Sequence, residues 1–144
     1  MSVSARNQLP GTVAIVRTGS VNDEIEISLE NGGTLVAVVT GSSRQALGLE
    51  QGRAVVALIK APWIVLASED CGMTFSARNQ FAGRVMTVEK GAVNATIDIH
   101  TDAGTHLTAV ITNESLAGMN LSEGKRVIAL IKASAVMLAV KKTG

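Results

Sequence analysis

Two matching sets of polar residues recur along this chain, and their types suit the binding of an anion. The second set lies 72 positions after the first: Ser4/Ser76, Arg6/Arg78, Thr40/Thr112, Ser43/Ser115 and Lys60/Lys132. Arginine supplies a planar fork of donors, lysine a compact charge and hydroxyl groups adaptable donors. No acid or histidine is identical in both copies. The sets therefore favour holding an anion over performing chemistry on it.

The Thr-x-x-Ser segments carry a second interpretation that the sequence leaves open. Thr40 and Ser43 stand at the entry to a predicted helix, where unpaired backbone N–H groups favour negative charge. The same two residues are also suitable as a helix cap with no ligand. Similarly, Lys60 and Lys132 taken alone are consistent with solvated lysines at strand ends.

The constant spacing reflects an internal duplication. The sequence SARNQ occurs at Ser4–Gln8 and again at Ser76–Gln80, and residues 4–69 align with residues 76–141 without a gap. In this alignment 29 of the 66 pairs are identical. A repeat of this length indicates two copies of one structural module. We therefore predict two domains, residues 1–70 and 73–144.

The residue pattern within each copy predicts strands and one short helix. β-branched residues alternate or cluster between glycine-containing turns, and the Asn31-Gly32-Gly33 cluster is typical of a hairpin. The first copy is predicted to hold strands in 11–19, 24–33, 34–40, 53–60 and 63–68, with a helix in 42–49. Five strands in so short a module are typical of a small closed barrel. The predicted fold class is all-β, with two tandem five-stranded OB-fold-like barrels, each carrying one short helix.

Composition narrows the functional class. The chain is 47% hydrophobic and 17% charged, with a formal net charge of +1. Its apolar runs are far shorter than the roughly 20 residues of a membrane helix, and Met1–Pro10 lacks the apolar core of a secretory signal. Cys71 is the single cysteine, so no internal disulfide can form. We expect a cytoplasmic protein that contacts no membrane.

Catalytic and nucleic-acid-binding arrangements are weakly represented. His100 and His106 occur only in the second copy and lack a third metal ligand. Gly118–Arg126 resembles a phosphate-binding loop, but its glycines are one residue too far apart and Arg126 replaces the hydroxyl residue. The aromatic side chains number only three, too few for stacking on single strands. We expect neither an enzyme nor a bound metal ion or cofactor, and no nucleic-acid partner.

The repeated segments resemble a known family, the molybdate-binding Mop domain of the cytoplasmic molbindins. SARNQLPGTV and SARNQFAGRV match the opening of that domain, and the Thr-x-x-Ser, IKAPW and IKASA segments match its later anion-contacting regions. The resemblance covers nearly the whole chain. The chain is most similar to the di-Mop molbindins, in which two Mop domains follow one another.

The resemblance implies a fold, a ligand and an assembly. It implies OB-like domains that store or buffer molybdate as an oxyanion, with tungstate as a second candidate ligand, and a homotrimer whose sites lie between domains or subunits. Carried over to this sequence, the oxyanion-binding residues are Ser4, Ala5, Arg6, Thr40, Ser43, Lys60, Ser76, Ala77, Arg78, Thr112, Ser115 and Lys132. Candidates for a second type of site are Gly19, Val21, Asn22, Gly91, Val93 and Asn94.

Two other functions stay open at the level of sequence. Domains of this family are also fused to molybdate transporters and repressors, so the chain is alternatively a regulatory module that senses the oxyanion. A nucleic-acid-binding barrel is a weaker alternative, because the basic groove and the stacking aromatics that it needs are absent from the sequence.

Overall fold

The computed structural model describes residues 3–142 and contains two five-stranded antiparallel sheets with two short helices. The first copy forms β1 (Asn7–Arg17), β2 (Asn22–Leu29), β3 (Thr34–Thr40), α1 (Gly41–Leu47), β4 (Ala54–Ile59) and β5 (Val65–Ser68). The second forms β6 (Asn79–Lys90), β7 (Asn94–Thr101), β8 (His106–Thr112), α2 (Asn113–Gly118), β9 (Arg126–Ile131) and β10 (Met137–Ala139). The predicted fold class is confirmed. Within residues 3–142 no helix is long and apolar enough to cross a membrane.

Strand formation follows from the alternation of apolar residues. In β2 the side chains of Ile25, Ile27 and Leu29 are buried, while the intervening residues are partly or fully exposed. Strand β7 repeats the pattern with Ala95, Ile97 and Ile99. Because successive side chains of a strand point to opposite faces, this pattern buries one face of each sheet.

The long strands β1 and β6 curl each sheet. Each changes register against its neighbour at one equivalent place, between Val13 and Ile15 in β1 and between Val85 and Thr87 in β6. Such an irregularity bends a strand and increases its twist. A glycine precedes this irregularity in both copies because the backbone leaves no room for a side chain. A Cβ on Gly83 would lie 2.5 Å from the carbonyl oxygen of His100.

The last strands of the two copies are exchanged. The strand order of one sheet is β10-β4-β1-β2-β3, and that of the other is β5-β9-β6-β7-β8. Leu66 of β5 therefore pairs with Ala129, and Leu138 of β10 pairs with Ala57. The buried side chains of both sheets form one continuous cluster. Neither copy completes its sheet with its own residues.

Two short 3₁₀ turns carry the chain from one sheet to the other. Ala61–Trp63 joins β4 to β5 and packs against β8, and Ala133–Ala135 joins β9 to β10 and packs against β3. Pro62 lies in the first turn of Ala61–Trp63. Its lack of an N–H costs no hydrogen bond there, because the first N–H groups of a helix have no partner within the helix. The predicted domain ranges, 1–70 and 73–144, stay a prediction.

A buried asparagine links each copy to the edge of the other sheet. The Asn79 side chain, 3% exposed, accepts a bond from Val36 N (2.7 Å) and donates to Val36 O (2.8 Å) and Ile131 O (3.2 Å). Asn7, also 3% exposed, makes the same three bonds with the backbone of Thr108 and Ile59. Because β3 and β8 are the last strands of their sheets, each amide replaces a missing neighbour strand.

We expect Asn79→Ala to lower the free energy of unfolding by about 2–4 kcal/mol, because the N–H and C=O of Val36 would lose their buried partner. Urea denaturation measures the change. Gln45→Ala, which removes an exposed amide from α1, is the control and should change stability by less than about 0.5 kcal/mol. Equal stability of the two variants would contradict the assigned role of Asn79.

Candidate functional site

The loops that precede β1 and β6 are held by the glutamine of the repeated SARNQ segment. The Gln8 amide donates to the carbonyl oxygens of Val3 (3.2 Å) and Ala5 (3.1 Å). Gln80 donates equivalently to Phe75 and Ala77, both at 3.0 Å. These bonds tie the loop back onto the start of its strand. The serine and arginine of each loop are left on the surface.

Strand pairing brings each loop arginine beside a lysine. Asn79 is paired with Ile131, so Arg78 and Lys132 are the next residues on adjacent antiparallel strands. Asn7 is paired with Ile59, which places Arg6 and Lys60 in the same relation. All four cationic side chains are exposed. Each sheet therefore presents one guanidinium and one ammonium group at the same end.

In the second copy these residues line one surface cavity. The cavity has a volume of about 460 Å³, and its lining includes Ser76, Ala77, Arg78, Lys132, Ser134 and Val38. Val38 belongs to β3, so both copies contribute to the lining. Ser76, Ala77, Arg78 and Lys132 are among the site residues predicted from the sequence, whereas Val38 and Ser134 are not.

The threonine and serine of each Thr-x-x-Ser segment cap a helix. Thr40 Oγ1 accepts from the backbone N–H of Ser43 (3.1 Å) and donates to its hydroxyl (2.9 Å). Thr112 and Ser115 make the same two bonds at 3.1 and 3.0 Å. The capping interpretation is therefore realised in both copies. The hydroxyl groups nevertheless lie at the surface, where further bonds can form.

Thr40 and Ser43 lie near the cavity of the second copy. They line a smaller cavity of about 310 Å³ together with Trp63, Ser134 and Ala135. Ser134 borders both cavities, because the 3₁₀ turn that contains it packs on β3. The chain thus gathers Thr40 and Ser43 on one face with the Arg78 cavity.

The lysine of the first copy is held differently from that of the second. The Lys60 ammonium lies 5.8 Å from the centre of the Trp63 ring, within the range of a cation–π contact. At the position equivalent to Trp63 the second copy has Ala135. Lys132 therefore has no equivalent cation–π contact with residue 135.

The turns proposed for a second type of site use their glycine N–H groups internally. Gly19 N donates to the carboxylate of Asp23 (3.0 Å), and Gly91 N donates to the carbonyl oxygen of Asn94 (2.8 Å). The side chains of Val21 and Val93 are exposed, at 73% and 71%. It stays a prediction that the residues of these turns, and those of the Arg6 and Arg78 sites, bind an oxyanion.

A buried acid supports the first of these turns and was missed by the sequence analysis. Asp23 is 3% exposed and accepts from Gly19 N and from Arg44 Nε, the latter at 2.5 Å. The bond from Gly19, followed by that from Arg44, holds the pKa of Asp23 below its ordinary value. The second copy has Ala95 and Leu116 at these positions. A charged pair in one copy that is replaced by two apolar residues in the other is the sequence signal that could have revealed this ion pair.

The two histidines lie on one face of the second sheet. His106 Nε2 lies 3.3 Å from the carboxylate of Asp98, which also accepts bonds from Thr87 and Thr108 at 2.7 Å. Burial raises the pKa of Asp98, but these bonds outweigh it and the net shift is downward. Across residues 3–142, no group of three or more His, Cys, Asp or Glu side chains could hold a metal ion.

We expect Arg44→Leu to lower the stability of the fold at pH 7, because it leaves the Asp23 carboxylate buried with one partner fewer. The double variant Asp23→Ala/Arg44→Leu reproduces the residues of the second copy and should recover stability. The pKa of Asp23 is lowered on folding, so its contribution is present above its unfolded value of about 3.9 and is lost as pH falls through the folded pKa.

The measurement is urea denaturation of the wild type and both variants at pH 7 and pH 3. The difference between Arg44→Leu and the double variant should be smaller at pH 3. A double variant no more stable than Arg44→Leu at pH 7 would show that Asp23 is not the cause of the loss.

Comparison with known proteins matches both copies to one domain family. Residues 3–66 and 76–138 each match the TOBE domain. A solved structure of the cytoplasmic molybdate-binding protein ModG, in a form with molybdate bound, is 44% identical and superposes with a TM-score of 0.92. The alignment covers 98% of this chain and all of the ModG chain.

Longer relatives share the same region. The molybdenum transport protein ModE of Herbaspirillum seropedicae is 36% identical over 142 residues, which cover 99% of this chain and 53% of ModE. The molybdenum-pterin-binding protein MopA of Rhodobacter capsulatus is 40% identical over 140 residues, covering 97% of this chain and 53% of MopA. This chain spans about half the length of these relatives.

Proposed function

Because this chain belongs to the TOBE domain family and carries two copies of the domain, we propose that it binds molybdate and serves to store or buffer molybdenum. The ligand is the intact oxyanion rather than a coordinated metal ion. Tungstate, which has the same shape and charge, is a second ligand of the same sites.

The observation that carries this proposal is the cavity lined by Ser76, Ala77, Arg78 and Lys132. It combines two cationic side chains with a hydroxyl group and a loop backbone. The similarity to ModG extends over the full length of both chains, and that protein binds molybdate. Together these observations favour an oxyanion as the ligand of the cavity.

Charge balance supports a dianion. One arginine and one lysine per site neutralise two negative charges, so the bound state has little net charge to desolvate. Hydroxyl and backbone N–H groups can satisfy the remaining lone pairs of a tetrahedral oxyanion. The first copy provides the equivalent set in Ser4, Ala5, Arg6 and Lys60, with Thr112 and Ser115 as the facing hydroxyls.

We assign no catalytic role to these residues. Arginine, lysine and hydroxyl donors suit the stabilisation of an anion, and the predicted set contains no acid or histidine as a general base. We further propose that the protein works in the cytoplasm, as is stated for ModG.

We also propose that three copies assemble, with sites completed between domains or subunits. Pairs of equivalent apolar side chains are exposed in both copies, namely Val21/Val93 and Val65/Met137. Contact with further copies would remove this apolar surface from water.

The turns at Gly19–Asn22 and Gly91–Asn94, which carry Val21 and Val93, are our candidates for the second type of site.

Sedimentation equilibrium tests the assembly. We expect a particle of three chains both with and without molybdate, because the exposed apolar side chains are present in either state. A stable monomer that binds molybdate stoichiometrically would contradict shared sites.

A regulatory module that senses molybdate is the second candidate. It is favoured by the similarity to ModE proteins, some of which are named transcriptional regulators and of which this chain spans about half. The mass of the single chain in cell extracts, measured under denaturing conditions, distinguishes the two candidates. A product of about 14.9 kDa favours storage, and one about twice as large favours a regulator.

We expect the purified protein to retain molybdenum after equilibrium dialysis against molybdate with excess sulfate. Arg78→Ala or Lys132→Ala should weaken binding by about 2–5 kcal/mol, because each removes a charged donor from an anion site that the proposed assembly of copies desolvates. Circular dichroism should be unchanged. Lys90→Ala, which removes an exposed lysine at the end of β6, is the control and should bind like the wild type. A wild-type protein that does not retain molybdenum would refute the proposed function.

A further inference from the structure

The guanidinium group of Arg78 is already paired with an acid. The Glu24 carboxylate forms an ion pair with Arg78 Nη1, and the two side chains are 30% and 50% exposed, respectively. Glu24 belongs to the first copy and Arg78 to the second. The pair therefore links β2 of one sheet to the loop that opens the other sheet.

The position of Glu24 places this acid at the edge of the Arg78 cavity. Glu24 lies directly opposite Val38 in the pairing of β2 with β3, and Val38 lines the cavity. The neighbouring acid Glu26, two residues along the same strand, is paired with Arg17 at 3.4 Å. Of these two acids, only Glu24 engages a residue of the cavity.

The equivalent position in the second copy carries no charge. Thr96 replaces Glu24, whereas Arg6 is retained as the equivalent of Arg78. A threonine cannot neutralise a guanidinium group, so the duplication has produced two similar cationic sites with different electrostatic surroundings. Among the differences between the copies, Glu24 is an acid that contributes no donor to an anion.

We propose that Glu24 is an internal competitor for Arg78 that lowers the oxyanion affinity of the Arg78 site relative to the Arg6 site. This inference rests on the proposed function. Binding at the Arg78 site requires the guanidinium to exchange the carboxylate of Glu24 for the oxyanion. Occupation of the Arg6 site requires no such exchange with residue 96.

The strength of the ion pair is suited to reversible exchange. Partly exposed ion pairs contribute little to stability, so Arg78 can leave Glu24 at small cost. A dianion that also contacts Lys132 offers two charges where Glu24 offers one. After the exchange the freed carboxylate stays near the dianion, and their repulsion further lowers affinity, subject to screening by salt.

The test is a calorimetric titration with sodium molybdate at low ionic strength, comparing Glu24→Gln with the wild type. The amide keeps the size of the side chain and removes its charge. We expect affinity at one class of site to rise about three- to tenfold, with the other class unchanged. Glu26→Gln removes the same charge two residues away and should change affinity by less than about twofold.

Arg78→Ala provides a second comparison. In that background Glu24→Gln should raise molybdate affinity less than it does in the wild type, because the competition for Arg78 is gone and only the repulsion between carboxylate and dianion remains. Thermal unfolding of each variant without anion checks that the fold is retained.

The outcomes separate this inference from the proposed function. A wild-type protein that binds no molybdate refutes the function itself. A wild-type protein that binds, together with an unchanged or lower affinity in Glu24→Gln, overturns the competitor role and leaves the function standing. Equal gains in Glu24→Gln and Glu26→Gln would also overturn it, since they would reflect overall charge alone.

Discussion

The buried amides of Asn7 and Asn79 are the interaction on which the arrangement of this protein depends. Each binds the N–H and C=O groups of one residue in the edge strand of the opposite sheet, through a side chain that is only 3% exposed. A buried backbone group without a partner is costly, so the amide of each copy stabilises the edge strand of the other. The exchange of β5 and β10 between the sheets also joins the two copies. Hydrogen bonds and strand pairing therefore link the two copies in both directions.

This linkage also explains why the SARNQ segment is identical in both copies. Its asparagine joins the sheets, its glutamine binds the backbone of the preceding loop, and its arginine is left at the surface beside the strand-end lysine. Structural roles and proposed ligand-binding roles thus alternate within five residues. A change at the asparagine would displace the neighbouring arginine, because the two are adjacent in the chain.

Duplication followed by divergence has made the two halves chemically unequal. Asp23 and Arg44 form a buried ion pair where the second copy has alanine and leucine, Glu24 stands where it has threonine, and Trp63 where it has alanine. All these differences lie in or beside the proposed oxyanion sites and their supporting turns. Symmetric backbones can therefore present sites of different affinity, because charge differences at a few positions act without altering strand pairing.

The sequence by itself determined the duplication, the strands with their single helix per copy, and the residue types of the candidate site, because alternation and glycine-rich turns are local signals. The tertiary structure alone decided that β5 and β10 change sheets. Residues 57–61 and 129–133 are identical, so β4 and β9 offer the last strands nearly the same partner. Ladder hydrogen bonds between backbones carry little sequence information, and the choice depends on where the 3₁₀ turns direct the chain. The Glu24–Arg78 pair depends on the same choice, since residues 54 positions apart meet only once the sheets are assembled.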